Sequence, residues 1–333
     1  MPTKRPPTRT RRLVLRPGVH VLRRSAEELQ VGLHPVRALI LPDRPAVRAL
    51  LASLNSPASL PLEGYDARTI ELLTEAGLLV DADALLRLVP SRPPATRPAA
   101  PGGPGREAVS RSGAAAVAAE SGDAAAALLE ARARSSVEVA VYGSPEARQV
   151  AATLGTLLAD SGVPHRLREA SDRSDGVRRA GRRPTGTTGT TTVLVAVGEP
   201  AREVTDDLMR DGIPHLVLRL TEGHAVVGPF VRPGQTACLR CIDAHHTDVD
   251  RSWPLLVAQY ATAVTRGRED TVPEPVDTVL ATLAAAWAAR ELVTHAEGGE
   301  PATTSATIRL DPRLTALETQ TWPRHPACGC SWD

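Results

Sequence analysis

Aromatic residues and lysine are nearly absent from this sequence. Phe, Trp and Tyr make up 2% of its 333 residues, and Lys4, close to the N-terminus, is the only lysine. The core must therefore be built from Leu, Val and Ala, which is feasible because 42% of the residues are hydrophobic. Any chemistry that needs a lysine within the folded part of the chain is excluded.

Long apolar runs and a strong charge of one sign are missing as well. No stretch reaches about 18 apolar residues, the length that a transmembrane helix needs. The basic N-terminus is not followed by the apolar segment of a signal peptide. The formal net charge of +1 gives no support for binding to nucleic acid or to a membrane surface. We therefore expect a soluble, cytoplasmic protein that binds neither.

The four cysteines fall into two pairs that are far apart in the sequence. Cys238 and Cys241 form a C-x-x-C pair, and Cys328 and Cys330 form a C-x-C pair near the C-terminus. In a reducing cytosol, clustered cysteines indicate metal binding rather than disulfides, and zinc favours four thiolates in a tetrahedron. We predict one structural zinc ion bound by all four, with no position left for substrate. A redox C-x-x-C is the alternative, but it leaves the second pair unexplained.

Histidines close to the cysteines are rival ligands. They are His245, His246 and His325. We prefer four sulfurs because they complete the coordination by themselves. The first two histidines, together with Asp243, Asp248 and Asp250, could also form a second metal site. We favour the interpretation that this run is the solvated start of a helix.

Three low-complexity segments divide the chain, and the length fits two domains. We predict a disordered tail at residues 1–11, a Pro/Gly-rich linker at 91–112 and a flexible insertion at 171–191. The folded blocks are then residues 12–90 and 113–333.

The first block predicts a small sheet with short helices. Strands are expected near Val14 and Val21 and over residues 28–32 and 38–41. A helix should run from Pro45 to Leu54, and a second should be capped by Asp66 and end at Gly77. This pattern is typical of a winged-helix-like α+β domain. A DNA-binding domain needs a basic recognition helix, whereas residues 69–75 are acidic; a dimerisation domain is a further alternative.

The second block alternates strands and helices. Strands are expected over residues 137–143, 165–168, 192–198 and 214–219, and helices over 145–161 and 201–210. This alternation predicts an α/β fold with a mostly parallel, doubly wound, Rossmann-like sheet. The alanine-rich helix at residues 276–295 should be buried and is a candidate homodimer interface.

Several segments of the second block resemble a known family. They are Gly212-Ile213-Pro214-His215, the stretch 227–234 (VGPFVRPG), the C-x-x-C pair and the ending 322–330 (WPRHPACGC). These segments resemble the ThiF family of ubiquitin-activating-enzyme-like adenylyltransferases. The similarity points to its actinobacterial branch, the cyclodehydratase-partner proteins that bind leader peptides in azole peptide biosynthesis. It covers residues 137–333, and residues 12–88 fit the peptide-recognition domain fused in front.

The resemblance implies that MgATP binds at the first strand–glycine turn and activates a peptide carboxylate as an acyl adenylate. The corresponding residues are Gly143 and Ser144, with Glu169 placed to hold the ribose. In this stretch Gly143 is the only glycine left, Pro145 lacks an amide donor and Glu146 adds a negative charge. A phosphate-binding lysine is missing too. The residues therefore argue against ATP and Mg²⁺ as cofactors.

The altered nucleotide turn, beside an intact pair of cysteine motifs, favours a non-catalytic scaffold. The first domain would bind a leader peptide or protein segment by strand addition near Leu29, Gln30 and Val31, beside a helix at Leu72 and Leu73. The second domain would present that peptide to a partner enzyme, such as a YcaO-type cyclodehydratase, and the protein is expected to be a homodimer. The alternative is an active ATP-dependent adenylyltransferase, so the sequence leaves open whether the chain is an enzyme.

Overall fold

The computed structural model describes residues 12–33, 38–56, 65–88, 109–170, 190–267 and 272–330. The chain divides into two compact units, and each is described by itself. The first unit comprises residues 1–99 with 266–273, and the second comprises 100–265 with 274–333.

The low-complexity segments lie mostly outside the described residues. The predicted tail, residues 1–11, lies entirely outside them. The described ends of the other two belong to regular structure. A helix begins at Arg111, inside the predicted linker, and a strand begins at Thr190, inside the predicted insertion. Ser110, Ser112 and Thr190 stand at these starts, and such short polar residues are also typical of loops.

The described residues of the first unit form two small antiparallel sheets and three helices. Its elements are β1 (Leu13–Leu15), β2 (Val21–Arg23), β3 (Glu28–Val31), β4 (Leu39–Pro42), α1 (Pro45–Leu54), α2 (Ala67–Glu75), β5 (Leu79–Asp81) and α3 (Ala82–Leu88). β1 pairs with β5, and the other sheet has the order β2-β3-β4. The winged-helix character of this unit stays a prediction.

Local signals explain the helices of the first unit. Pro45 stands in the first turn of α1, where its missing N–H is not needed. Asp66 caps α2, because its carboxylate accepts hydrogen bonds from the Arg68 amide at 3.2 Å and the Thr69 hydroxyl at 2.7 Å. Both helix predictions are confirmed. The apolar faces of α1 and α2 form one core with the strands.

The second unit contains a seven-stranded sheet flanked by helices. Its elements are α4 (Arg111–Ser121), α5 (Ala125–Arg134), β6 (Ser136–Tyr142), α6 (Pro145–Asp160), β7 (His165–Glu169), β8 (Thr190–Val197), α7 (Arg202–Arg210), β9 (His215–Thr221), β10 (His224–Val231), α8 (Leu239–Val249), α9 (Trp253–Arg266), α10 (Thr278–Ala296), β11 (Ala306–Leu310) and β12 (Leu317–Thr321). The strand order is β12-β11-β10-β9-β8-β6-β7. The mixed α/β prediction is confirmed.

Only one half of this sheet is parallel. The four strands β6 to β9 are parallel to one another, whereas β10, β11 and β12 each run antiparallel to the strand before them. The direction reverses at Glu222 and Gly223, whose φ angles of 52° and 80° are both positive. Two positive φ angles in a two-residue loop make a tight hairpin. This hairpin turns a doubly wound sheet into a mixed one.

Helices α6 and α10 cover one face of the sheet and pack on each other. The side of α10 that faces inward is built of alanines, which let the helix approach closely. They are Ala281, Ala284, Ala285, Ala288 and Ala289. This surface is therefore used inside the unit, and a part for the helix in a homodimer stays a prediction. Within the described part of the chain, no helix combines the length and apolarity needed to cross a bilayer.

A buried ion pair attaches α5 to the far end of α10. Arg132 donates from Nε at 2.9 Å and from Nη2 at 2.6 Å to Oε1 of Glu297, which caps α10, and from Nη1 at 3.3 Å to the Ser161 carbonyl. The Arg132 side chain is 7% exposed. The pair therefore fixes α5 against the ends of both α6 and α10.

Candidate metal centre and the crevice beside it

The two cysteine pairs meet at one point. Cys238 precedes the first turn of α8 and Cys241 lies within it, while Cys328 and Cys330 follow β12. All four Sγ atoms lie within 4.8 Å of one another. The Sγ–Sγ distances are 3.5 Å for Cys238–Cys328, 3.3 Å for Cys241–Cys330 and 3.8 Å for Cys238–Cys241.

The hairpin of β11 and β12 brings the pairs together. Ser305, just before β11, accepts a hydrogen bond from the Ala237 amide on its Oγ at 3.0 Å and from the Trp322 amide on its carbonyl at 2.7 Å. The Trp322 indole also donates to the Thr307 hydroxyl at 2.9 Å. The segment from Ser305 to Thr307 thus hydrogen-bonds to residues that precede both cysteine pairs.

The donor set fits a zinc ion. Four sulfurs at about 2.3 Å from zinc in a tetrahedron stand about 3.8 Å apart, close to the distances found here. All four cysteines are free thiols, and apolar residues including Val231, Leu239 and Ile242 surround them. The contacts among the thiols lower the pKa of Cys241 and raise the pKa of Cys238, so the chain by itself favours a single thiolate in this group. A thiolate is the form that binds a metal.

One ligand atom each of His245, Asp248 and His325 lies within 4.8 Å of the others, but the ring nitrogens involved already have hydrogen-bond partners. Nδ1 of His325 accepts the Ala327 amide at 3.1 Å, so the proton is on Nε2, which donates to Asp248 Oδ2 at 3.0 Å. His325 therefore has no lone pair left for a metal. Nε2 of His245 contacts the Pro323 carbonyl at 2.9 Å.

The expectation that this run is the solvated start of a helix is wrong. His245, His246 and Asp248 lie in the second half of α8, which begins at Leu239. His246 stacks on Trp253 with ring centroids 4.4 Å apart. The run is a contact surface for the segments that follow it, and sequence periodicity alone does not reveal such contacts.

A second feature lies where β6 and β8 end. The strand order reverses between these two strands, and open α/β sheets bind ligands at such a point. Gly143 follows β6 and Gly198 follows β8, with φ angles of 85° and 87°. This is where the resemblance places a nucleotide.

Four charged side chains occupy that end of β8. Glu199 accepts hydrogen bonds from Nη1 of Arg202 at 2.9 Å and Nη1 of Arg219 at 3.0 Å. Arg202 also binds Asp243 through Nε at 2.7 Å and Nη2 at 2.8 Å, and the Trp253 indole donates to Asp243 at 2.9 Å. We call these four charged residues the Glu199 network. Two carboxylates and two guanidinium groups make it neutral.

The network is ionised despite its burial. Burial acts to raise the pKa of Glu199, but the charges of Arg219 and Arg202 outweigh it and the pKa is lowered. For Asp243 burial is likewise outweighed, chiefly by Arg202, and its pKa is lowered. The pKa of Arg202 is raised, because Asp243 and Glu199 outweigh the effect of burial. Each charge is thus satisfied by an internal partner.

The residues predicted for the nucleotide lie at the carboxyl ends of β6 and β7, and their part in binding stays a prediction. Glu169 lies opposite Val141 across β6 and β7, and its carboxylate binds Arg148 of α6 at 2.7 Å. Ser144 precedes α6 without capping it, and its Oγ has no hydrogen-bond partner among the described residues.

The sequence places Asp243 in a possible second metal site and assigns no role to Arg202 or Arg219, so it does not predict the Glu199 network. One signal was available: Arg219 interrupts an otherwise apolar strand, and a charged residue at a buried strand position needs a partner. The partner itself is not visible in the sequence, because Asp243 is 41 residues from Arg202.

The strand predicted to receive a peptide, β3, lies in the middle of its sheet. Leu29, Gln30 and Val31 pair with β2 on one side and with β4 on the other, so β3 has no free edge. All three are buried, as is Leu73 of α2, while Leu72 is half-buried. A strand could be added only to β2 or β4, whose outer edges are not paired with any described strand. Strand order depends on tertiary pairing, which the sequence pattern did not reveal.

No model of a known protein family matches the sequence, and no curated protein does. Solved structures do match. The heterocyclase TruD matches with a TM-score of 0.48 and 17% identity, over 97% of this chain and 43% of its own. A heterocyclase in complex with substrate and cofactor matches at 0.46 and 18%, over 96% and 40%. MccB of E. coli, with MccA, matches at 0.48 and 12%, over 96% and 99%.

The chain spans less than half the length of the two heterocyclases that it matches. At these TM-scores and identities, the similarities carry no argument about activity, substrate or partner. The evidence for function is therefore the geometry of this chain.

Proposed function

We propose that this protein is a non-catalytic, peptide-binding partner protein in peptide modification, with a second unit stabilised by a structural zinc ion. The Glu199 network is the observation that supports this proposal most directly. A nucleotide site needs donors that are free to meet phosphate, whereas Nε, Nη1 and Nη2 of Arg202 and Nη1 of Arg219 are directed at internal carboxylates.

The start of α6 argues in the same direction. A helix N-terminus binds phosphate through its free N–H groups and the positive end of its dipole. Pro145 removes one N–H there, and Glu146 in the first turn already neutralises the dipole. A triphosphate would meet a carboxylate at this point, with no lysine in the described residues to offset it.

Zinc, when bound, supplies a structural cross-link and no reactive position. Cys238 and Cys241 would hold it from the start of α8, and Cys328 and Cys330 from the segment after β12. Their role is to fasten the last segment of the unit to the sheet.

Peptide capture is assigned to the outer edge of β4. Helix α2 packs beside this strand. Ile40 on β4 is 48% exposed, which leaves an apolar side chain next to an edge that no described strand pairs with. An extended peptide added to an edge strand gains main-chain hydrogen bonds, and its alternate side chains enter neighbouring apolar surface. We propose a segment with apolar residues at alternate positions as ligand, presented to a partner enzyme such as a YcaO-type cyclodehydratase.

Calorimetry with MgATP, together with a pyrophosphate-exchange assay, tests the non-catalytic assignment. We expect neither binding nor exchange. Micromolar ATP affinity together with exchange would establish the alternative, an ATP-dependent adenylyltransferase that activates a peptide carboxylate.

Peptide capture is tested with the full-length protein and a fluorescent copy of a precursor peptide encoded beside its gene. The Ile40→Lys variant should lose most of its affinity, because a charge is placed at the edge of β4. Leu167→Lys is the matched control, since Leu167 is 50% exposed but lies on β7 of the other unit. Equal binding by both variants, or the absence of any neighbouring precursor gene, would contradict the proposal.

A further inference from the structure

His325 contacts both cysteine pairs through its backbone and is not itself a member of the cluster. Its amide donates to Cys241 Sγ at 3.4 Å, and its carbonyl accepts the Cys328 amide at 3.0 Å. Its ring nitrogen Nδ1 accepts the Ala327 amide at 3.1 Å. The conformation of this single residue therefore sets the turn that carries Cys328.

Asp248 determines how the His325 ring is oriented. It accepts Nε2–H of His325 at 3.0 Å from the last turn of α8, the helix that also carries Cys241. This bond keeps the proton on Nε2 and leaves Nδ1 free to accept the Ala327 amide. With the proton on Nδ1, two N–H groups would face each other and the turn would lose that bond.

We propose that Asp248 and His325 are positioning residues that pre-form the C-terminal half of the metal centre. This inference rests on the proposed zinc site and adds to it. The pair holds Cys328 and Cys330 facing Cys238 and Cys241, so that an arriving ion meets four sulfurs already in place. Groups that orient metal ligands from outside the coordination shell typically change metal affinity by about 10- to 100-fold.

The test is a metal-affinity measurement on the purified full-length protein, with Zn²⁺ competed against a chromophoric chelator. Asp248→Ala and His325→Ala should each bind zinc about 10- to 100-fold more weakly. Asp248→Asn should retain near wild-type affinity, because the amide oxygen still accepts Nε2–H. With Co²⁺ in place of Zn²⁺, the absorption spectrum should keep its tetrathiolate character in every variant, because no ligand is removed.

Asp206→Asn is the control. Asp206 pairs with Arg240 in the first turn of α8 at 2.6 Å, so the variant changes a carboxylate contact to the same helix but none to the C-terminal segment. It should bind zinc as the wild type does.

Two results would overturn the positioning role. One is unchanged zinc affinity in Asp248→Ala and His325→Ala. The other is an affinity loss in Asp248→Asn as large as in Asp248→Ala, which would mean that the hydrogen bond is not what matters. A wild-type protein that binds no zinc would instead remove the proposed metal site itself, so the two failures are distinguishable.

Discussion

Arg202 and Asp243 form a two-point ion pair, with Nε donating to Oδ2 at 2.7 Å and Nη2 to Oδ1 at 2.8 Å. Arg202 begins α7, which follows β8, and Asp243 lies on α8 two residues after Cys241. The pair therefore joins the segment after β8 to the helix that carries Cys241, one of the four clustered cysteines.

Removal of one partner of this pair should destabilise the protein strongly. We expect Arg202→Met to lower the free energy of unfolding by about 3–5 kcal/mol, because Glu199 and Asp243 then stay buried without their guanidinium partner. Urea denaturation measures the change. Arg210→Met breaks an exposed pair with Asp207 at the other end of α7 and should leave stability nearly unchanged. Equal effects of the two variants would contradict the importance of the buried network.

Zinc content should depend on the cysteines and not on the neighbouring histidine. We expect one zinc ion per wild-type chain and none in Cys241→Ser or Cys330→Ser, measured by elemental analysis. His245→Ala should keep its zinc, because the His245 ring is bonded to the Pro323 carbonyl. Removal of zinc by a chelator should raise amide hydrogen exchange over residues 322–330. Zinc loss in His245→Ala alone would identify a different ligand set.

Stability should fall as the solution is acidified, because His215 is buried. Burial lowers the pKa of His215 to about 4, although a hydrogen bond to the Ile213 carbonyl acts to raise it. Below the ordinary value of about 6.5, the unfolded chain takes up a proton that the folded chain does not. The folded state should therefore lose about 2 kcal/mol between about pH 7 and about pH 5 from this residue.

The His215→Leu variant isolates this contribution. Its denaturation curves at the two pH values should lie closer together than those of the wild type. Some pH dependence should remain, because burial also lowers the pKa of His246 and His295. An unchanged pH dependence in the variant would show that His215 is not responsible.

Gly228 should tolerate alanine far less well than Gly223. Both have left-handed backbone, with φ of 104° and 80°, so alanine costs each about 1–2 kcal/mol. A Cβ at Gly228 would press on the Ala306 carbonyl oxygen and the Thr303 side chain, whereas a Cβ at Gly223 meets nothing. Gly228→Ala should lose about 1–3 kcal/mol more. Chemical denaturation of the two variants compares them, and equal losses would contradict the close approach of β10 and Ala306.

Features coded by a few neighbouring residues were predictable. Pro45 and Asp66 mark helix starts, and the apolar run 192–198 marks the centre of the sheet, because each depends on local hydrogen bonding or on periodicity. The meeting of the cysteine pairs was predicted from ligand chemistry, since no other arrangement gave all four sulfurs one role.

Features set by contacts between distant segments were not predictable. The position of β3 between β2 and β4 depends on strand pairing, and Leu29 looks the same in a central or an edge strand. The antiparallel half of the large sheet follows from two φ angles at Glu222 and Gly223, a dipeptide with only a weak turn signal. The partner of Arg202 lies on another helix, where periodicity gives no information.

The ion pair between Arg132 and Glu297 has a practical consequence for dissecting this chain. A fragment that begins at β6 would lack Arg132, so the Glu297 carboxylate and the Ser161 carbonyl would lose the hydrogen bonds that its guanidinium donates. Val109 also packs against Gly162, and the Ser110 amide donates to the Asp160 carbonyl. Crystallisation or NMR of the cysteine-containing unit on its own therefore calls for a start upstream of Val109, with both short helices retained.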